Sequence, residues 1–327
     1  MVSPFASGTG RIPRWVLLAV SALAIGAIPM AAVLGNPAPA PFRLVGSGQT
    51  FGSLQQAIDA IGNGSGTIEF ADGHHAQCGV QKAGRITFAA RTPGAAVLDG
   101  VACEGKAALV LRGKAATVSG LTFSGISVPD ANGAGIRLEN GTLDVSRSWF
   151  RDSQQGIIAV SGKNSRIAID RSTFARLGTC ARPEGCAHSI YIGDYGSLTV
   201  TRSRFEQGRG GHYLKSRAAR NIIADNSFDD SGGHGTNYAI DLPNAGTGAI
   251  RGNWIVQGKD KDNPSTLIAV GSEGRKYRAD GLVIEGNDAR LAPGAARSPA
   301  FVADWTGDRL VLRNNRLGPQ IEPFVKR

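Results

Sequence analysis

The sequence predicts an all-β fold in which short strands stack as the coils of a β-solenoid. The chain of 327 residues contains 45 glycines, and its apolar residues are mainly Val, Ile, Leu and Ala, which favours short strands and tight turns over packed helices. One frame recurs along the chain, as in "LDVSRSWF", "IAIDRSTF", "LTVTRSRF" and "NIIADNSF". Its irregular spacing is typical of a coil whose turns accept insertions.

The recurring frame predicts three internal columns. Its ends fall at Phe123, Phe150, Phe174, Phe205 and Phe228, and in relaxed form at Ile255, Ala289 and Leu317. Five positions earlier a β-branched residue or Leu recurs, at Val118, Val145, Ile169, Val200, Ile223, Ile250, Ile284 and Leu312. Two positions before the end Ser or Asn recurs, at Ser148, Ser172, Ser203, Asn226, Asn253, Asn287 and Asn315. Because stacked coils place equivalent residues about 4.8 Å apart, we expect a structural aromatic stack and a hydrogen-bonded ladder at a bend.

The N-terminal segment has the pattern of an export signal. Residues 1–14 carry Arg11 and Arg14 and no acidic residue, and a nearly uninterrupted apolar run follows over 15–34. The pattern predicts either a signal peptide or an uncleaved membrane anchor over residues 1–35, followed by a Pro-rich linker over 36–44. Since positive charge before the run keeps the N-terminus cytoplasmic, we expect the rest of the chain to be exported: periplasmic, secreted or anchored to the membrane.

The four cysteines agree with export. An even number of cysteines in a chain bound for an oxidising compartment favours disulfides over a metal site. We expect Cys180 to pair with Cys186 across a short loop, and Cys78 to pair with Cys103.

The charge indicates an anionic partner. Removing Arg11 and Arg14 from the formal charge of +10 leaves +8 on the exported part. Outside the cytoplasm this charge favours an acidic polysaccharide or a lipopolysaccharide surface over nucleic acid, although an even spread of charge would indicate solubility alone. We expect a monomer.

The opening region carries a family resemblance. The segments "LQQAIDAI", "GTIEF", "AVLDG" and "VSGLTFSG" resemble the entry of right-handed parallel β-helix proteins of the pectin-lyase-like superfamily. The resemblance covers residues 45–320, with 321–327 as a C-terminal tail, and implies a short N-terminal helix that caps the coil. It leaves the activity open, because the superfamily includes lyases, hydrolases, epimerases and non-catalytic surface proteins.

The segment "GGHYLKSRAARN" over 210–221 concentrates polar residues on one predicted face. We pair Ile190 and Ile192 with His212 and Leu214 on the next coil, and these with Tyr238 and Ile240, all pointing inward. Three outer columns then follow: Tyr191, Tyr213 and Ala239; Gly193, Lys215 and Asp241; and Tyr195, Arg217 and Pro243. Asp194 lies at the edge of this face.

Such a face suits an acidic sugar chain. Tyrosine rings offer flat apolar area, and Lys and Arg neutralise carboxylates. For β-elimination from a uronic acid, Lys215 is the candidate base, Arg217 the carboxylate clamp and Tyr213 the proton donor, with Asp241 as a fourth candidate catalytic residue. The candidate substrate-binding residues are Tyr191, Tyr195, Asp194, Asn237, His234 and His188. No cofactor is required, and Ca²⁺ is a candidate ligand of the Asp side chains.

One departure from the resemblance matters. In lysine-based β-helix lyases the partner arginine lies on the next coil, where this sequence has Asp241. A carboxylate beside a lysine favours the ammonium form, whereas a general base must be neutral. A Lys215–Asp241 salt bridge is therefore the structural alternative.

Two other functions remain open. A non-catalytic cell-envelope protein would use the same face to bind or scaffold polysaccharide. An inverting glycoside hydrolase would use Asp194 and Asp241, which we expect two coils and about 9 to 10 Å apart.

Overall fold

The computed structural model describes residues 40–182, 185–295 and 298–327, which form a coil with three strand-bearing faces. The predicted signal peptide or anchor over 1–35 and most of the predicted linker lie outside the described residues. In the described ranges, no helix is long and apolar enough to cross a membrane.

Each coil contributes a strand to face A, then to face B, then to face C. Face A contains Gly79–Gln81, Ala107–Leu111, Ala134–Leu138, Leu214–Ser216, Ile240–Leu242, Thr266–Val270, Ala300–Asp304 and Glu322–Lys326. Face B contains Phe42–Leu44, Thr50–Phe51, Ser65–Phe70, Arg85–Ala90, Ala115–Ser119, Thr142–Ser146, Arg220–Ala224, Thr247–Arg251, Val283–Glu285 and Val311–Arg313. Two long strands, Gln155–Asp170 and Ile190–Thr201, run through both faces.

Face C completes the coil. It contains Gly73–His75, Ala96–Asp99, Thr122–Ser124, Trp149–Arg151, Thr173–Ala175, Arg204–Glu206, Ser227–Asp229, Trp254–Gln257, Asp288–Leu291 and Arg316–Leu317. A separate antiparallel hairpin joins Thr179–Arg182 to Gly185–Ala187. Strands Phe42–Leu44 and Glu322–Lys326 extend the sheet just outside the predicted bounds of 45 and 320.

The predicted fold class is confirmed, because the coil strands from Ser65–Phe70 onward stack in parallel and the described chain makes about nine turns with a single helix. Phe42–Leu44 pairs antiparallel with Thr50–Phe51 and with Ser65–Phe70. That helix, Leu54–Ile61, buries Leu54, Ala57 and Ile58 on one side. It lies against the start of the core and closes one end of the coil, as expected for a capping helix.

The aromatic stack is also confirmed. Phe123, Phe150, Phe174, Phe205 and Phe228 are buried, and successive rings lie 4.6 to 4.8 Å apart with interplanar angles of 2 to 8°. The strand spacing sets the ring spacing, because each Phe pairs with its equivalent on the next coil. The rings inside the core therefore follow the same residue pairing as the strands of face C.

The Ser/Asn ladder forms at the bend between faces B and C. From Ser148 to Asn287, each backbone N–H donates to the side-chain oxygen of the equivalent residue on the next coil, over 2.9 to 3.3 Å. The residue before each ladder position has a positive φ, and these are Arg147, Arg171, Arg202, Asp225, Gly252, Gly286 and Asn314. This sharp turn leaves buried N–H groups that the strands cannot satisfy, and the ladder satisfies them.

Both predicted disulfides are present. Cys78 pairs with Cys103, and Cys180 pairs with Cys186. The second bond closes the hairpin that connects face C to face A before Ile190.

We predict that Phe174→Ala will lower the free energy of unfolding by about 3 to 5 kcal/mol, because it leaves a cavity between Phe150 and Phe205. Urea unfolding followed by circular dichroism measures the change. The matched control is Phe324→Ala, at a side chain that is 38% exposed, which should cost about 1 kcal/mol or less. Equal losses in the two variants would contradict a stabilising role for the stack.

Candidate functional site

The candidate site lies on the outer side of face A. Tyr191, Lys215 and Asp241 pair with one another on successive coils and form what we call the central column. Their strand neighbours Ile190, Leu214 and Ile240 point into the core. Alternation along the strand therefore directs the three polar side chains outward together, which is the convergence expected from the sequence.

The predicted register of one coil is wrong by two residues. Ile190 pairs with Leu214 and Ile192 pairs with Ser216, whereas the sequence analysis paired them with His212 and Leu214. A shift of two residues preserves which side chains point inward, so alternation cannot detect it. A search for apolar inward positions overlooks Ser216, because it is polar. It can point inward because its hydroxyl donates to the side-chain oxygen of Asn221 over 2.7 Å.

Two tyrosines are absent from the predicted face because both are buried. Tyr213 was expected to point outward as a proton donor, but it precedes the strand and is 1% exposed. Its hydroxyl donates to Asp230 over 2.7 Å, and burial raises its pKa. Tyr195 is fully buried in the core, which raises its pKa to about 12. Neither hydroxyl reaches the outer surface of face A.

A pocket of about 610 Å³ opens over the central column. Five predicted site residues line it: His188, Tyr191, Lys215, Arg217 and Asn237. The remaining lining consists of Asn132, Gln155, Ile158, Gly185, Cys186, Gly211, His212 and Glu273. The disulfide-closed hairpin therefore forms one wall.

The cations of the pocket are paired within the protein. Lys215 forms a salt bridge with Glu273, and its Nζ lies 3.4 Å from Oδ2 of Asp241, so the structural alternative considered for this pair is present. Arg217 also binds Glu273, and it donates to the Tyr191 hydroxyl over 3.1 Å and to the Asn244 amide oxygen over 2.7 Å. Burial raises the pKa of Glu273, but hydrogen bonds from Lys215 and Arg217 outweigh it and lower the pKa overall.

Asp241 lies behind the pocket. Its side chain is 1% exposed, accepts a hydrogen bond from Ser272 over 2.9 Å and contacts Lys215. Burial raises the pKa of Asp241 in spite of the opposing effect of Lys215. Asp241 thus contacts Lys215 from behind the pocket and does not line it.

A short ladder of rings forms the rear of the pocket. The backbone N–H of His212 donates to Nδ1 of His188 over 3.0 Å, and that of Tyr238 donates to Nδ1 of His212 over 3.2 Å. A neutral imidazole that accepts at Nδ1 carries its proton on Nε2. Burial lowers the pKa of His212 well below its ordinary value, and its Nε2 lies 3.5 Å from Oδ2 of Asp241. The ring of His188 stacks on Tyr191, with centroids 5.7 Å apart.

Besides the two buried tyrosines and Asp241, two further predicted residues, Asp194 and His234, lie outside the pocket. Asp194 pairs with Ser161 on the preceding coil and binds Lys276 and Tyr277, so it is three strand positions from the column of Asp241. Three strand positions and two coils correspond to a backbone separation of about 14 Å, more than the 9 to 10 Å expected from the sequence. The use of this pair by an inverting hydrolase stays a prediction. His234 is exposed and contacts Asp260 over 3.0 Å.

Sequence reasoning missed Glu273 and Gln155. Glu273 belongs to a long connection, and no periodic signal in the sequence places such a residue over the pocket. Gln155 begins a strand and is buried, and within the described ranges its Oε1 has no hydrogen-bond partner.

The described residues contain no group of three or more His, Cys, Asp or Glu side chains that could hold a metal ion. The suggestion that Asp side chains bind Ca²⁺ stays a prediction.

The stacked fold and its outer pocket define a β-helix protein. The chain belongs to the right-handed β-helix family, since the family described as "Right handed beta helix region" matches residues 106–291. The predicted relationship to right-handed parallel β-helix proteins is thereby confirmed.

Two solved structures are similar to this chain. The ORF18 protein of Geobacillus virus E2 has a TM-score of 0.42 and 12% identity, over 81% of this chain and 59% of that protein. A variant of AlyGC, an alginate lyase of family PL6, has a TM-score of 0.34 and 15% identity, over 83% of this chain and 52% of that enzyme. The chain thus spans less than two thirds of either protein's length. No curated protein matches the sequence.

We predict that His212 makes stability depend on pH. Because burial lowers the pKa of His212 below 6.5, the unfolded chain binds a proton that the folded protein does not, and the free energy of unfolding falls as the pH decreases below that value. The loss has a limit of about 1.4 kcal/mol per pH unit for one group. His212→Asn, which keeps an acceptor for Tyr238, should lose less stability between pH 7 and pH 5 in urea unfolding.

The control for this measurement is His74→Asn, which removes an exposed ring that contacts Asp99. It should retain the pH dependence of the wild type. The same slope in the His212→Asn variant as in the wild type would contradict the assignment.

Proposed function

We propose that this protein binds an acidic, uronate-containing polysaccharide in the pocket of face A and cleaves it by β-elimination. The supporting observation is the grouping of Lys215, Arg217 and Tyr191 along one pocket wall. The class of reaction requires a cation for the carboxylate, a base for the adjacent carbon and an acid for the leaving oxygen, and these three residues supply those groups.

The elimination uses each residue once. Arg217 binds the uronate carboxylate, which makes the neighbouring C–H more acidic. The neutral amine of Lys215 takes the proton from that carbon as the C–H bond breaks and a carbon–carbon double bond forms. The bond between the next carbon and the glycosidic oxygen then breaks, and the Tyr191 hydroxyl protonates the leaving oxygen. Tyr191 takes the role that the sequence suggested for Tyr213.

In this proposal His188 and His212 shape the pocket and do not act as bases. Since each Nδ1 accepts a backbone N–H, neither neutral ring offers a second nitrogen lone pair as a base. Among the lining residues in the described chain, the Lys215 amine is therefore the best candidate base. The stacked rings of His188 and Tyr191 supply flat area for a sugar face.

The N-terminal pattern supports a site of action outside the cytoplasm. Acidic polysaccharides occur at cell surfaces, and the two disulfides suit an oxidising compartment. We propose that the chain is exported and either released or held by residues 15–34.

A second candidate function is polysaccharide binding without cleavage in the cell envelope. One observation favours it: Lys215 forms salt bridges with both Asp241 and Glu273, so the protein's own carboxylates already hold the amine that a lyase would use as its base. A protein of this kind would retain uronate polymers through Arg217 and Lys215 and would produce no unsaturated ends.

We predict that the purified full-length chain releases products with ultraviolet absorbance from at least one uronate polymer, and that Lys215→Met lowers this rate by about 10² to 10⁴. The Met side chain keeps the length of the Lys stem and removes the amine. Absorbance of the unsaturated ends measures the reaction.

The matched control is Lys259→Met, at an exposed lysine outside the pocket, which should keep the wild-type rate. Retention of polymer without absorbance would favour the binding protein, and new reducing ends without absorbance would indicate hydrolysis. No turnover across a broad uronate panel would eliminate the lyase assignment.

A further inference from the structure

The strap, defined as residues 271–278, crosses the outer surface of face A. It begins the connection 271–282 between Thr266–Val270 and Val283–Glu285, whereas the preceding connections between faces A and B cover only 217–219 and 243–246. The strap contacts Asn244 on the coil before it, Arg217 on the next coil back and Asp194 one coil further. It therefore extends back over about three coils, or about 14 Å.

The carboxylate of Glu273 lies where the substrate carboxylate is proposed to bind. One of its oxygens accepts a hydrogen bond from Lys215, and the other accepts one from Arg217. A ligand carboxylate bound to Arg217 would take the place of the Glu273 carboxylate and would also release Lys215 from it. The protein's own side chain thus neutralises the cation that is proposed to recognise a uronate.

The strap is fastened independently of Glu273's carboxylate. The backbone N–H of Glu273 donates to Pro243 over 3.1 Å, and that of Tyr277 donates to Asn244 over 3.0 Å. At its far end, Tyr277 and Lys276 bind Asp194. Glu273 itself remains 44% exposed at the pocket rim, so a ligand can exchange with it without disrupting the core.

We propose that Glu273 is a specificity-determining residue that occupies the carboxylate subsite until an anionic sugar replaces it. This inference rests on the proposed function and adds the basis of selection to it. Displacing Glu273 with a neutral sugar would leave Arg217 without its carboxylate partner in a partly buried pocket, which is costly, whereas Lys215 would keep Asp241. A uronate replaces one carboxylate with another and avoids that cost.

The test compares wild type, Glu273→Gln and Glu285→Gln in binding a purified tri-uronate by calorimetry at low salt. Glu273→Gln should bind about tenfold more tightly or better, the factor expected when a competing charge-assisted hydrogen bond is lost. Glu285→Gln removes the same charge from an exposed pair with Arg313 and should bind as the wild type does. A neutral trisaccharide should bind the wild type at least tenfold more weakly than the tri-uronate does.

Tyr277→Phe provides a second variant that leaves both pocket cations intact. It removes a hydrogen bond to Asp194, so we expect faster hydrogen exchange at the amides of Glu273 and Tyr277 together with tighter tri-uronate binding. Unchanged or weaker tri-uronate binding by Glu273→Gln would overturn the role of Glu273 and leave the proposed function standing. Absence of uronate binding in every variant would overturn the proposed function itself.

Discussion

Backbone hydrogen bonding between equivalent strands of successive coils is the constraint on which this structure depends. It holds each coil about 4.8 Å from the next and places chemically similar residues above one another. The Phe stack of the core, the Ser/Asn ladder at the bend and the central column of face A all follow from that single spacing. The same pairing of strands therefore positions both the core residues and the pocket residues.

The same spacing brings buried polar groups close enough to need partners. At the bend, a side-chain oxygen of one coil accepts a hydrogen bond from a backbone N–H of the neighbouring coil. The backbone N–H groups of the ladder residues from Ser148 to Asn287 are paired in this way. On face A, Lys215 and Arg217 lie on one strand end and receive carboxylates from two other coils. Stacking thus creates clusters of charge that the chain must neutralise from a distance in sequence, and Glu273 does so.

Features that repeat at every coil could be predicted from the sequence, and features that occur once could not. Phe174 and Asn253 stand in columns with several equivalents, so their positions follow from a shared frame. The face that carries Lys215 and Asp241 was predicted because side chains along a strand can point only inward or outward. Tyr213 was misplaced because it precedes the strand Leu214–Ser216, so the alternation of that strand does not apply to it, and no signal in the sequence marks where the strand begins. Glu273 escaped notice since a long connection has no period, and its contacts with Lys215 and Arg217 span more than fifty residues.

The connections between strands differ in length, and the short and long ones have different roles in the structure. The short bends between faces B and C carry the ladder and tolerate little change, whereas the hairpin that contains Cys186 and the strap that contains Glu273 are outgrowths above an unaltered framework. Evolution can lengthen, shorten or exchange such outgrowths without touching the column of rings beneath them. In a coil of this kind, new binding surfaces can arise by changes in individual connections while the core stays the same.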